Sequence, residues 1–241
     1  NYYYQKNKGV CGAMNKGLEL ARGEYFCWVG QDDVLTADRV RIQAEFLDSH
    51  KNYAVCYGNV EYIDKNGRHI GFGKTRHFRS GLILNALFRR CFIPAPAAMI
   101  RTSVLKEMGG FNEKYEIEDY PLWLAVAEKY QIGAVDKVLT RYRLHDSNVS
   151  GKENEFPLVV QRVLEDWAGY AACNKALRYW YRRWFCDASK GDHVWIMERY
   201  LCKLRTVDFC HPRVLRSYAR YMKQKRRWKS SRIQRNLSRS P

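Results

Sequence analysis

The sequence predicts an α/β fold, a doubly wound mixed sheet followed by a region of helices alone. Three observations carry this. From residue 12 to residue 143, short apolar runs alternate with amphipathic stretches, the pattern of strands and helices joined by short links. Beyond about residue 155 only helical periodicity remains. The charge divides at the same place. Of a net +17, residues 161–241 hold 20 Lys and Arg against 6 Asp and Glu, whereas the first 160 hold 22 against 19. Such asymmetry points to two regions with different partners.

The elements follow in order. Residues 12–21 read as a helix with Met14, Leu18 and Ala21 on one face and Gly23 as its stop. Residues 24–30 read as a buried strand. Residues 36–49 read as a helix capped by Thr36 or Asp38 and facing inward through Val40, Ala44 and Leu47. YAVCYGNVEYI (53–63) is strand-like, and Asn66-Gly67 after it is a hairpin-turn signal. Ser80 caps a short helix over 80–88. A strand over 97–101, a helix over 104–110 closed by glycine, a helix over 119–130 and a last strand over 132–143 complete the alternation.

In the helical region three faces are predicted: Val160, Val163, Leu164 and Trp167; Met197, Tyr200, Leu201 and Leu204; and Leu215, Tyr218 and Met222. The final KQKRRWKSSRIQRNLSRSP has lost its apolar face and reads as an irregular basic tail. The expected divisions are therefore 1–152, 153–222 and 223–241.

With 46 % hydrophobic residues the chain can bury a sizeable core. No apolar run approaches the roughly 18–20 residues of a membrane-spanning helix. Eight cysteines include no CxxC pair, which points to buried thiols in a reducing compartment rather than zinc or disulfides.

Two acidic pairs stand out. Asp32 and Asp33 end the apolar run YFCWVG, and ligands of open α/β sheets bind beyond the carboxyl ends of strands. Adjacent carboxylates repel unless a cation or donor groups neutralise them. A divalent metal bridging to a diphosphate would do so; alternatively one acid caps the next helix and the other is solvated. Glu118 and Asp119 open the helix DYPLWLAVAEKY. Acids there are favoured by the helix dipole, and Pro121 suits a first turn, so a structural reading stands beside a chemical one. Trp123 and Leu124 are expected to anchor this helix in the core.

NKGVCGAMNKGLELARGEYFCWVGQDDVL resembles the family 2 glycosyltransferases, whose sequences run N-x-G, A-x-N-x-G, A-x-G-E-Y and then an acidic cluster. IRTSVLKEMGGFNEKY, EDYPLWLAVAEKY and YRLHDSNVS are also similar to that family, in its order, up to about residue 150. The resemblance implies a GT-A fold in which a nucleotide-sugar donor, most often a UDP-sugar, and Mn²⁺ or Mg²⁺ meet at the acidic cluster. It implies Asp33 and His145 at the metal, and Asp32, Gly9, Asn15 and Arg143 around the donor. Asp119, with Glu118 beside it, would be the catalytic base of an inverting transfer to a glycan or lipid-linked acceptor in polysaccharide assembly. Gly30 departs from the family, which commonly has an acid there. The strand–helix–strand unit that grips the nucleotide base has no counterpart before Asn1, so the chain reads as a fragment.

The basic helices mix Trp, Tyr and Arg, as in RYWYRRWF. Three readings apply: nucleic-acid binding, attachment to anionic lipid, and a helical cap on the sheet. No RNP, KH, zinc-finger or helix-turn-helix signature supports the first. A cap that also touches the membrane is favoured, which suits a cytoplasmic enzyme at the inner membrane face. The competing function is a non-catalytic basic adaptor, for membrane or nucleic acid, on a degenerate transferase fold.

Overall fold

The computed structural model describes residues 2–73, 79–145, 156–191 and 193–237, with 229–237 described by backbone alone. The chain forms two compact units divided between Val163 and Leu164.

The first unit contains α1 (Gly9–Leu20), β1 (Tyr25–Phe26), β2 (Val34–Leu35), α2 (Arg39–Ser49), β3 (Tyr53–Ile63) and β4 (His69–Phe72). After these come α3 (Leu84–Arg89), β5 (Ala98–Arg101), α4 (Thr102–Glu107), α5 (Asp119–Lys129) and β6 (Gln131–Arg143). The strands make a mixed sheet in the order β1-β5-β3-β6-β2, with β4 on β3. Only β3 and β6 run parallel, from Tyr53↔Gln131 to Ile63↔Arg143; the other pairings are antiparallel. Val55, Cys56 and Tyr57 in mid-β3 are fully buried, and so are Leu47 and Trp123 from the helices. The sheet is therefore covered on both faces, as an α/β arrangement with strands of continuous apolar character requires.

Strand β3 and helix α5 stand where the residue pattern puts them, and Trp123 and Leu124 are fully buried. The β3–β4 hairpin turns at Gly67, whose φ of +83° suits glycine. There Asp64 Oδ1 accepts from the Asn66 and Arg68 amides at 2.8 and 2.9 Å.

Six expectations are corrected. Only Tyr25–Phe26 of the stretch 24–30 is strand, because the chain leaves the sheet edge to stack Trp28 on Trp123, with ring centroids 5.7 Å apart. Helix α2 turns Arg39, Gln43 and Leu47 inward and leaves Val40 54 % exposed. Arg39 donates to Thr140 Oγ1, Ala98 O and Gln43 Oε1, and Gln43 donates to Cys56 O and Ala97 O. Buried carbonyls at these positions need donors, and an apolar face would leave them unpaired. Neither Thr36 nor Asp38 caps α2 through its side chain; Thr36 Oγ1 instead donates to Leu139 O at 3.1 Å. Ser80 does not cap α3, which starts at Leu84, because its hydroxyl accepts the Ala134 amide at 2.9 Å. The last two concern the helical unit.

In that unit, α6 (Phe156–Asp166) carries the boundary, and α7 (Ala171–Ala188), α8 (Val194–Leu201) and α9 (Pro212–Leu237) follow. Trp184 and Phe185 of α7 pack on Tyr200 and Tyr221, with centroids 5.3 and 6.5 Å apart. The stretch expected to be an irregular tail from 223 continues α9 to Leu237; its Arg, Lys and Gln are good helix formers. Helix α9 buries Val214, Ser217 and Tyr221 and leaves Leu215 51 % exposed. Hydrogen bonds decide that rotation: Ser189 Oγ meets Ser217 Oγ at 3.0 Å and Tyr221 Oη reaches Glu198 at 3.1 Å. Cys11, Cys56 and Cys173 are buried free thiols. Among the described residues no helix is long and apolar enough to cross a membrane.

Candidate active site

The register of β2 on β6 builds the first half of the site. Val34 pairs with Arg141 and Leu35 with Thr140, which brings the turn before β2 alongside the end of β6. Asp33 Oδ1 then accepts the Arg143 main-chain N–H at 2.9 Å. Asp32 Oδ2 lies 2.7 Å from His145 Nε2. The His145 bond holds the Asp32 carboxyl below the usual range, against burial, which works the other way. Burial pushes Asp33 up, and the neighbouring Asp32 charge adds to it; the Arg143 amide opposes both. One carboxylate is thus compensated and its neighbour is short of positive charge.

Helix α5 builds the second half. Glu118 is its N-cap residue and Asp119 its first. Asp119 Oδ1 accepts the Tyr120 amide at 2.7 Å, and Trp28 Nε1 donates to Glu118 Oε1 at 3.4 Å. Tyr120 Oη donates to Leu87 O at 2.8 Å, and Trp123 is fully buried, so the helix start is held rigidly. Burial, then repulsion from Glu118, pushes the Asp119 carboxyl up to about 7, against the Tyr120 amide.

Asp32, Asp33, His145, Glu118 and Asp119 all line one cavity of about 620 Å³. The other predicted residues are placed elsewhere. Asn15 Nδ2 donates to Phe111 O and Glu113, and its Oδ1 accepts the Phe111 amide at 2.7 Å. It pins the 110–113 loop, where Gly110 has a φ of +80° and a Cβ would sit 2.5 Å from Asn15 Oδ1. Arg143 spends its guanidinium on the carbonyls of Asp32, Asp64 and Lys65, fastening the β3–β4 turn to the acidic turn. Gly9 opens α1 with a φ of +75°, its amide donating to Asn7; its neighbour Val10 reaches the cavity. Asp146, Ser147 and Asn148 of the YRLHDSNVS stretch lie outside the described residues.

Residue patterns did not single out the cavity's apolar walls. Trp28 stacks on Trp123, and Tyr62 meets Tyr142 edge-on at 6.1 Å. Pro94, Ala95 and Pro96 form another side. The only prior signal was aromatic residues at the ends of strands, next to the acids.

A divalent cation fits this donor set. Asp33 keeps a second carboxylate oxygen beyond the Arg143 bond, and the charge shortage at Asp33 is what a hard cation relieves. Among the described residues no three His, Cys, Asp or Glu side chains converge to hold a metal alone. Further ligands would have to come from a substrate.

Residues 1–109 match the model of glycosyl transferase family 2. An uncharacterized glycosyltransferase of Rickettsia felis is 30 % identical over 156 residues, 64 % of this chain and 25 % of the relative. From Escherichia coli, the UDP-Glc:alpha-D-GlcNAc-diphosphoundecaprenol beta-1,3-glucosyltransferase WfaP is 30 % identical over 159 residues, 64 % of this chain and 59 % of that protein. The chain thus spans about a quarter to somewhat over half of these relatives. The crystal structure of S. aureus TarS 1–349 in complex with UDP-GlcNAc superposes with a TM-score of 0.58 over 94 % of this chain and 72 % of TarS 1–349, at 17 % identity. The mannosyltransferase PcManGT from Pyrobaculum calidifontis, in complex with GDP-Man and Mn²⁺, gives 0.51 over 82 % of this chain and 54 % of that one, at 12 % identity. Residues 1–109, with the acidic turn, thus belong to glycosyl transferase family 2, and the sheet unit has a GT-A fold.

Proposed function

We propose that this chain, within its full-length protein, transfers a sugar from a UDP-sugar to a hydroxyl of a lipid-linked glycan, inverting the anomeric carbon, in polysaccharide assembly. The observation that carries the reading is two acidic pairs, one met by an imidazole and a main-chain N–H and the other by an indole N–H and a main-chain N–H, opening onto one cavity of about 620 Å³. The acceptor class and the UDP donor follow the named E. coli relative and the TarS complex. Such an acceptor places the reaction at a membrane surface, on the cytoplasmic side where nucleotide sugars are made.

In this reading the Asp119 carboxylate takes the proton from the acceptor hydroxyl. The freed oxygen attacks the anomeric carbon from the face opposite the leaving nucleotide. A base at a buried helix start is aimed without a large loss of side-chain freedom, as general-base geometry requires. Its raised pKa makes it a stronger base than an ordinary carboxylate. Asp33 and His145 would hold Mn²⁺ or Mg²⁺, with Asp32 beside them. That cation would supply positive charge to the departing diphosphate. Trp28, Tyr62 and Tyr142 exclude water from the face where the sugar is exposed.

The test is transfer and donor hydrolysis by the full-length protein over a panel of nucleotide sugars, with Mn²⁺, Mg²⁺ or chelator. Turnover of one UDP-sugar that stops on chelation is expected. Absence of turnover with every donor and a lipid-linked acceptor would leave the adaptor reading.

A further inference from the structure

Within the helical unit, outside the family 2 match, α7 and α9 enclose a second cavity of about 670 Å³. Its walls are basic. Arg182, Arg183 and Lys190 come from α7 and the turn after it, and Arg213, Arg216 and Arg220 from α9. The α9 residues recur at spacings of three and four, so they form one stripe along one helix face. The α7 side is partly compensated: Asp187 lies 3.6 Å from Arg183 and 2.7 Å from Lys190, and Arg182 is 3.4 Å from buried Asp208. The α9 side differs. Arg216 Nε donates to Pro212 O at 3.3 Å, and among the described residues no carboxylate pairs with Arg213, Arg216 or Arg220.

Six cations converging on one concavity with a single lining carboxylate repel one another. Helix propensity does not require that arrangement, since Lys or Gln would serve equally in exposed positions. Guanidinium groups match phosphate oxygens through parallel N–H donors and bind them more strongly than a neutral donor does. The floor is small and mixed, with Val214 and the Ser217 hydroxyl, and suits a compact polar group. A stacked nucleic-acid strand would need a row of aromatic platforms, and among the described lining residues Tyr179 and His211 alone carry rings.

We infer that the α7–α9 groove is a binding site for a phosphate or diphosphate group, carried either by a membrane lipid headgroup or by a soluble phosphate compound. The inference is independent of the transferase reading and fails or stands separately from it.

Calorimetry of the full chain with inorganic pyrophosphate, and flotation with phosphatidylcholine vesicles with or without phosphatidylglycerol, test it. Arg213→Gln/Arg220→Gln should weaken binding by at least about tenfold, as expected for two charge-assisted donors. Arg213→Lys/Arg220→Lys should fall between, keeping charge but losing the fork. Lys175→Gln/Arg178→Gln removes two exposed α7 cations outside the groove and should change little. Flotation that pyrophosphate competes away, and that the groove variant loses, assigns a lipid headgroup; pyrophosphate binding without flotation assigns a soluble ligand. Equal losses in the groove and control variants overturn the site. So does the absence of both pyrophosphate binding and flotation, or an oligonucleotide that displaces pyrophosphate and binds the groove variant as tightly as the parent.

Discussion

The two acidic pairs of the cavity have nearly the same composition and opposite surroundings. Asp32 and Asp33 sit in a turn tied to the end of β6, where an imidazole and a main-chain N–H meet them. Glu118 and Asp119 sit at a helix start, where the Trp28 indole N–H meets Glu118 and the Tyr120 amide meets Asp119. The first pair has Asp32 held low and Asp33 pushed up, the second has Asp119 pushed up to about 7. Burial acts on both; what differs is compensation. A turn that keeps Asp32 charged and leaves Asp33 short of positive charge is suited to a cation, whereas a buried carboxyl beside a like charge is suited to exchanging a proton.

The largest expected effect comes from removing that proton exchange. Asp119→Asn keeps the shape and the acceptor for the Tyr120 amide and removes basicity. In the full-length enzyme kcat should fall by at least about 10²-fold, with metal-dependent donor affinity nearly unchanged. A raised donor KM with normal kcat would assign Asp119 to donor binding and erase the contrast between the pairs.

Asp33→Ala probes the other side. It should weaken Mn²⁺-dependent nucleotide binding, read by calorimetry, by at least the roughly 10–100-fold that supporting groups of metal sites contribute. His145→Gln should produce a smaller loss and raise the Asp32 titration, observable by NMR. Metal-dependent binding that survives Asp33→Ala would remove the acidic turn from the metal site.

How much of this was legible in the residues depends on distance along the chain. Strand β3 and helix α5 follow from local patterns, because their apolar residues face a core on the side that periodicity marks. The acids too were legible, since a charge directly after an apolar run is a local anomaly. The inward turn of Arg39 and Gln43 was not. It answers carbonyls of Cys56, Ala97 and Ala98, up to 59 residues away, and no periodicity encodes where carbonyls lie unpaired. Asn15 and Arg143 illustrate the same limit. A motif marks them, but only tertiary geometry shows that their polar groups are committed to main-chain atoms of the 110–113 loop and the β3–β4 turn. The part of α9 beyond residue 222 was not legible for the opposite reason. Loss of an apolar face was read as loss of structure, although Lys225 is tied to Glu198 at 2.7 Å and the Arg- and Lys-rich stretch has high helix propensity.

The smallest predicted effect bears most directly on why the pairs differ. If Asp119 is raised by burial and by Glu118, its charged form destabilises the fold. A carboxyl whose pKa is higher in the folded than in the unfolded chain contributes stability that is complete below the unfolded value of about 4. That contribution is lost as pH rises through about 7. Asp119→Asn does not titrate. The variant should therefore match or fall below the parent in melting temperature at acid pH and gain on it steadily up to about pH 8. Asp32→Asn should do the reverse. Its carboxyl is held low by His145, so the parent gains stability over the variant as pH rises through acid values up to about 4 and keeps it above that. Two melting-temperature differences of opposite slope against pH would establish that compensation, rather than sequence position, separates the pairs. Parallel slopes would mean that the helix-start acids are as well compensated as those in the turn, and the assignment of the base to Asp119 would lose its electrostatic support.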